Sequence, residues 1–395
     1  EGKAYRDFSS PEELRAEAER LGVGHPSTLA RRWADDMGEE ESERRAAEGE
    51  PFAIRLRVPV GQTRWTDLVH GPVSFANHDI DDFVILRADG SPVYNLAVVS
   101  DDAEQRVDTV IRGDDHISNT PKQILLYEAL GFTVPDFGHV PMILGPDGKR
   151  LSKRHGATAV EEYAGQGILP DAMVNFLALL GWNPGDDQEI MDRPTLIERF
   201  SMERVNHTSA VFDTEKLGWM NGQYLAELPV EDVLPLFIEA LERAGYDASA
   251  WESRPDGWLA ELAGLLKVRS RSVVEMVDQA APFLGPIDGY EEKASRKHFE
   301  KDSQRALELL SALSEAYSGA AGWTEDVLEE ILRTRADQLE VGAGKMIHPL
   351  RLAVTGRGFS PGIFEVLVLL GRDETLARVA AARKHLSHLG DDSVT

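Results

Sequence analysis

From about residue 160 to its C-terminus the chain repeats one pattern. Apolar residues return every three or four positions in ELPVEDVLPLFIEALERAG, DGWLAELAGLLKVR, HFEKDSQRALELLSALSEA, TEDVLEEILRTRADQL and PGIFEVLVLLG. A stripe with a period near 3.6 can be buried only along one side of a helix, so this half must fold as helices packed on one another. The series opens with PDAMVNFLALLG, which has Pro170 in its first turn and Gly181 as a stop. FDTEKLGWMNGQYL follows and predicts two short helices about Asn221-Gly222. No fixed-length repeat and no low-complexity linker breaks the series.

The front of the chain reads differently. SSPEEL supplies a cap, a first-turn proline and acids on the positive end of a helix dipole. Residues 11–50 read as helical and highly charged, with DDMGEEESERRAAEGE a solvated helix face or mobile loop. FAIRLRVPV alternates, TRWTDLVHGPVSF follows as strand sequence, and FVILRADGSPVYNLAVV predicts a hairpin with Asp89-Gly90 near its turn. VDTVIRGDDH then gives way to the helix KQILLYEALG, capped by Asn119-Thr120-Pro121 and ended by Gly131. Strand, loop and helix in this order resemble half of a parallel α/β nucleotide-binding sheet, whose sites lie beyond the carboxyl ends of the strands. The expected fold is an α/β front joined to an all-α back.

At 395 residues the chain has room for two to four domains, and its 42% hydrophobic and 28% charged content is that of a soluble globular protein. No apolar run approaches the roughly 18 residues of a membrane span, and the first residues carry no signal-peptide pattern. Cysteine is absent, which excludes disulfides and thiolate metal sites and fits a cytoplasmic location. Acidic residues outnumber basic ones 68 to 42, for a net charge of −26. A protein that coats nucleic acid through general charge is therefore excluded, and any such contact must use local basic patches.

One such patch is DGKRLSKRHGA, where Lys149, Arg150, Lys153 and Arg154 stand with His155 in seven positions. A cationic, glycine-flanked loop suits a polyphosphate, although a solvated surface loop has the same composition. Upstream, VIRGDDHISNTPKQ puts Arg112 and Asp114-Asp115-His116 between a strand and a helix. Arg112 offers a two-pronged fork to a carboxylate, or else a strand-end salt bridge to Asp114; Asp115 can accept from a ribose hydroxyl. His385 and His388 have helical spacing but lack a third ligand nearby, and read as a solvated tail. Trp65, Trp182 and Trp219 read as packing residues. In LLKVRSRSVVEM, Lys267, Arg269 and Arg271 decorate an otherwise apolar helix.

Five ordered blocks, YNLAVVSDD, VIRGDDHISNTPKQILLYEALG, DGKRLSKRHGA, FDTEKLGWMNGQYL and LRLAVTGRGFSPGIFEVLVLLG, resemble bacterial glutamyl-tRNA synthetases across essentially the whole chain. RLSKRHGA is similar to the KMSKS-type signature of class I synthetases in its glutamyl form. The resemblance implies ATP-dependent attachment of glutamate to tRNA(Glu) through a glutamyl-adenylate, with ATP and Mg2+ as substrate and a monomeric enzyme. Lys153 matches the catalytic lysine that steadies charge as pyrophosphate leaves, assisted by Ser152 and Arg154, while Arg150 stands where the family more often has lysine. Asp115 and His116 match positions near the ATP, Tyr94 and Arg112 line the glutamate pocket, and Arg269 falls at a position associated with anticodon reading.

The implied organisation is an acceptor-arm insertion with the edge of the catalytic domain over 1–94, and the second half of a Rossmann-like catalytic domain over 95–135. A stem-contact region with the signature loop follows over 136–225, and an all-α anticodon-binding region over 226–395. The family's H-x-G-H signature is absent and is expected to precede Glu1, so residues 1–395 alone are not expected to activate glutamate. Asp7 and Ser9 stand where some relatives have the Cys-x-Cys of a zinc site, so no structural zinc is expected. The long helical series argues against a glutaminyl-tRNA synthetase, whose anticodon part is built of β-barrels, and against the shortened glutamyl-queuosine type, which has no such part. A non-catalytic tRNA-binding paralogue and a non-discriminating enzyme that also charges tRNA(Gln) are the remaining alternatives.

Overall fold

Each change of period in the sequence becomes a change of element. The computed structural model describes residues 2–23, 26–152, 154 and 159–391. Two units emerge, one from Glu1–His155 with Leu177–Phe212 and one from Gly156–Phe176 with Asp213–Thr395.

Among the described residues the first unit holds nine strands: β1 (Ala4–Asp7), β2 (Ala53–Leu56), β3 (Gln62–Asp67), β4 (Gly71–Ala76), β5 (Val84–Leu86), β6 (Thr109–Gly113), β7 (Asp136–Val140), β8 (Ile143–Leu144) and β9 (Ala210–Val211). They form a sheet β1-β2-β5, a second sheet β4-β3-β7-β6 and a two-stranded pair β8-β9. β6 and β7 are parallel from Thr109 opposite Asp136 to Gly113 opposite Val140, with the helix Thr120–Leu130 crossing between them. β3 joins them in parallel through Asp67 opposite Phe137. Ile124, Leu125, Leu126 and Tyr127 of the crossing helix pack with Val99, Phe137 and Leu56 into this unit's main core. Such a sheet leaves the carboxyl ends of β6 and β7 open for chemistry.

Local signals explain most of these boundaries. The Ser10 hydroxyl accepts from the Glu13 amide at 3.2 Å, and the Glu13 carboxylate accepts from the Ser10 amide at 2.8 Å, so Pro11–Leu21 opens with a capping box. The charged segment after it is the helix Pro26–Ala47, broken at Gly38. Asp7 pairs with Arg55 at 2.6 Å across β1 and β2 and also accepts from the Ser9 amide.

Several sequence expectations change. The hairpin after β5 stops at Pro92, which bridges Leu86; Tyr94–Gln105 is a helix because Leu96, Val99 and Ala103 fall on one helical face of the core. Asn119 precedes the crossing helix but makes no side-chain cap; its amide instead lies 3.4 Å from His116 Nδ1. FDTEKLGWMNGQYL is one helix, Thr214–Glu227. Asn221, fully buried, spends its side chain on the Leu169 amide and the Gly167 and Arg271 carbonyls. A Cβ on Gly222 would stand 3.2 Å from the Ser270 carbonyl oxygen, so this glycine serves a close approach and not a turn.

The second unit is helical. Helices 258–267, 273–284, 303–318, 344–355 and 363–370 bury Leu262, Phe283, Leu310, Leu350 and Leu367 in one shared core. The final helix, Arg372–Asp391, adds Val379, Ala382 and Leu386 to that core and contains both His385 and His388. His385 packs its ring 5.0 Å from Tyr290, so it belongs to a packed helix and not to a tail. Trp182 is buried, Trp65 stacks on Phe75 at 5.8 Å, and Trp219 is 40% exposed, which departs from the packing expectation for that residue. Among the described residues no helix is long and apolar enough to cross a membrane, and no group of three or more His, Asp or Glu side chains is arranged to hold a metal ion.

Candidate active site

β6 delivers Arg112 one residue before its end, half-buried. Its Nε donates to His139 Nε2 at 3.2 Å and its Nη2 to Thr120 Oγ1 at 2.8 Å, while its guanidinium carbon lies 5.5 Å from the centre of the Phe137 ring. No carboxylate of the described residues forms an ion pair with it. Asp114, the strand-end alternative, instead accepts His70 Nε2 at 2.8 Å. Burial lowers the Arg112 pKa from its ordinary value, the mark of a cation stripped of water. Arginine stays charged regardless, so what remains is a partly desolvated guanidinium suited to an incoming anion.

Beyond β6 the chain makes a short 3-10 turn, Asp114–His116, which presents Asp115 and His116 at the surface. Tyr94, at the start of its helix and half-exposed, brings its hydroxyl 3.5 Å from His116 Nδ1. Asp115 Oδ2 lies 3.2 Å from Arg150 Nη2. Two segments thirty-five positions apart in sequence, the acidic turn and the basic loop, thus share one site. Within the loop Arg154 lies 3.8 Å from Asp147, and Ser152 is half-buried. Lys153 and His155 lie outside the described residues.

Sequence reading passed over four groups that shape this site. His139 is fully buried on β7 with its Nδ1 2.5 Å from Asp67 Oδ2. Asp67 closes β3, and its other oxygen accepts the amides of Val69, His70 and His139 at 3.0, 3.1 and 3.1 Å. Burial alone would raise the Asp67 pKa; the hydrogen bonds from the His139 ring and these amides outweigh it and bring it from 3.8 down to about 2. Thr120 and His70 complete the set. A histidine inside the apolar run FGHVPMIL was the available signal.

In the second unit the basic run divides. Helices 258–267 and 273–284 end and begin around it, so Arg269 and Arg271 sit in a turn and not on an apolar helix. Lys267 Nζ donates to the Ala226 and Leu228 carbonyls at 2.5 and 2.7 Å, which makes it a helix cap. Arg269 is exposed, 3.6 Å from Glu365, and lines a cavity of about 280 Å3 with Arg357, Ser360 and the 69% exposed Phe359. The cavity is thus lined by two cations and an open aromatic ring.

Comparison with known proteins agrees along the length of the chain. Residues 1–219 match the family described as tRNA synthetases class I (E and Q), catalytic domain, and residues 230–383 match an anticodon binding domain family. A glutamate–tRNA ligase of Moorella thermoacetica is 41% identical over 392 residues, covering 97% of this chain and 78% of the relative. One from Geobacter sulfurreducens is 41% identical over 387 residues, covering 98% and 80%. A crystal structure of a glutamate tRNA ligase from Elizabethkingia meningosepticum, in complex with its amino acid, superposes with a TM-score of 0.85 at 30% identity, covering 98% of this chain and 80% of that one.

Proposed function

The chain belongs to the class I tRNA synthetases of the glutamate and glutamine group, and we propose that it serves glutamate, joining it to tRNA(Glu) by way of a glutamyl-adenylate. The supporting observation is the Asp115–Arg150 contact, which gathers the acidic turn after β6 and the signature loop around one space at the carboxyl end of the sheet. ATP, carried with Mg2+, is the phosphate donor that such a basic loop accommodates. Arg112 and Tyr94 face the same region and supply a guanidinium fork and a hydroxyl for the amino acid. Orientation of the glutamate carboxylate toward the α-phosphate, with cations ready for the departing pyrophosphate, supplies most of the rate. Lys153 carries that charge stabilisation, with Ser152 and Arg154 beside it, and Asp115 and His116 attend the nucleotide. In the second unit, Arg269 and the Phe359 cavity receive an anticodon nucleotide.

The test is pyrophosphate exchange by the full-length protein with tRNA present throughout. Exchange should depend on glutamate and not on glutamine, and Lys153→Ala should slow it on the order of 10²–10³-fold with glutamate affinity nearly unchanged. Exchange that ignores glutamate would overturn the assignment, and unaltered turnover would remove Lys153 from the chemistry. Charging assays with tRNA(Gln) separate a discriminating from a non-discriminating enzyme.

A further inference from the structure

A guanidinium receives a carboxylate on two prongs only if its plane is fixed beforehand. Arg112 extends from a strand end, and three groups meet it there. His139 Nε2 and Thr120 Oγ1 take one hydrogen bond each and lie 2.9 Å apart, and the Phe137 ring lies alongside. His139 and Thr120 are fully buried.

The arrangement assigns the imidazole tautomer. Arginine can only donate, so His139 Nε2 must be the acceptor and the ring proton sits on Nδ1. Nδ1 donates that proton to Asp67 Oδ2, 2.5 Å away. Asp67 is itself immobile, because its oxygens also hold the Trp65 ring N–H at 3.3 Å and three backbone amides. Two of those amides, of Val69 and His70, belong to the turn that sets His70 against Asp114. One buried carboxylate therefore governs the fork on β6 directly through His139.

We propose that Asp67 and His139 are positioning residues of the amino-acid site: Asp67 fixes the His139 tautomer, and His139 with Thr120 fixes the plane of Arg112 without touching substrate. The proposal rests on the reading of Arg112 as the carboxylate-binding fork. A residue that acts this way alters glutamate recognition selectively, whereas a residue that merely supports the fold lowers every parameter together.

Aminoacylation kinetics of the full-length protein distinguish the two. His139→Leu should raise the glutamate KM roughly tenfold, the scale of one hydrogen bond to a charged group, with the ATP KM changed less than about twofold. His139→Gln, whose amide oxygen can accept where Nε2 does, should recover most of that loss. Thr120→Val, of the same shape, should raise the glutamate KM by roughly threefold to tenfold through the other prong. Arg112→Lys serves as the reference: an unchanged glutamate KM there would refute the fork itself, and the proposal with it. An effect of Arg112→Lys combined with glutamate KM values within twofold of wild type for His139→Leu and Thr120→Val would refute the positioning role alone. If His139→Leu does not fold, Thr120→Val decides. Glutamate and ATP KM values that rise in parallel in either variant would also refute it.

Discussion

Asp67 carries a stability signature that the sequence hides. Its carboxyl is held at about 2 against an ordinary 3.8, so its contribution is complete above pH 3.8 and disappears as the pH falls through about 2. The shift corresponds to about 2 kcal/mol at pH 7. Asp67→Asn should therefore lower urea-unfolding stability by at least about 2 kcal/mol at pH 7, with a visibly smaller deficit at pH 3. An equal deficit at both values would show that the charge contributes nothing. Arg112, Tyr94, Asp115 and the basic loop were legible because each stands in a motif whose chemistry is local. Asp67 and His139 were not, since their bond to each other joins residues 72 positions apart and only the parallel pairing of β3 with β7 brings them together.

Helices announced themselves through period, and their misreadings trace to contacts that period cannot encode. Asn221-Gly222 has the composition of a turn, yet the segment stays helical because Asn221 anchors the 167–169 backbone and Gly222 admits the Ser270 carbonyl. YNLAVV has the β-branched content of a strand, but its core-facing residues recur at helical spacing. The run 267–271 looked like one basic surface and is two kinds of residue. Lys267→Ala should cost about 2 kcal/mol of unfolding stability by exposing two carbonyls to no donor, and leave tRNA affinity within about twofold. Arg269→Ala should do the reverse, weakening tRNA binding with stability within about 0.5 kcal/mol of wild type. Thermal melts paired with filter binding check both, and a common effect of the two substitutions would erase the distinction.

Across the molecule, a net charge of −26 coexists with cations that already have acidic neighbours: Arg150 beside Asp115, Arg154 beside Asp147, Arg269 beside Glu365 and Arg271 beside Glu215 at 2.6 Å. A polyanion must compete with these carboxylates and release its own counterions. Filter binding of tRNA(Glu) by the full-length protein should weaken by on the order of 10²-fold or more between 50 and 200 mM salt. A flat titration would mean that phosphate contacts contribute little to recognition.

The bond from the His139 amide to Asp67 spans 72 positions, and this has a consequence in time. The helices 94–105 and 120–130 close their hydrogen bonds within a few residues, whereas β3 must wait for β7 to find it. Pairings of long sequence separation form against loop-closure entropy and set the pace of folding. On the ribosome, Asp67 emerges with the Val69 and His70 amides close in sequence, but the bonds it makes to His139 must wait until residue 139 follows. The candidate site is thus among the last parts of its unit to take shape, and a nascent chain halted before β7 has its helices but lacks the His139 contact that holds Arg112.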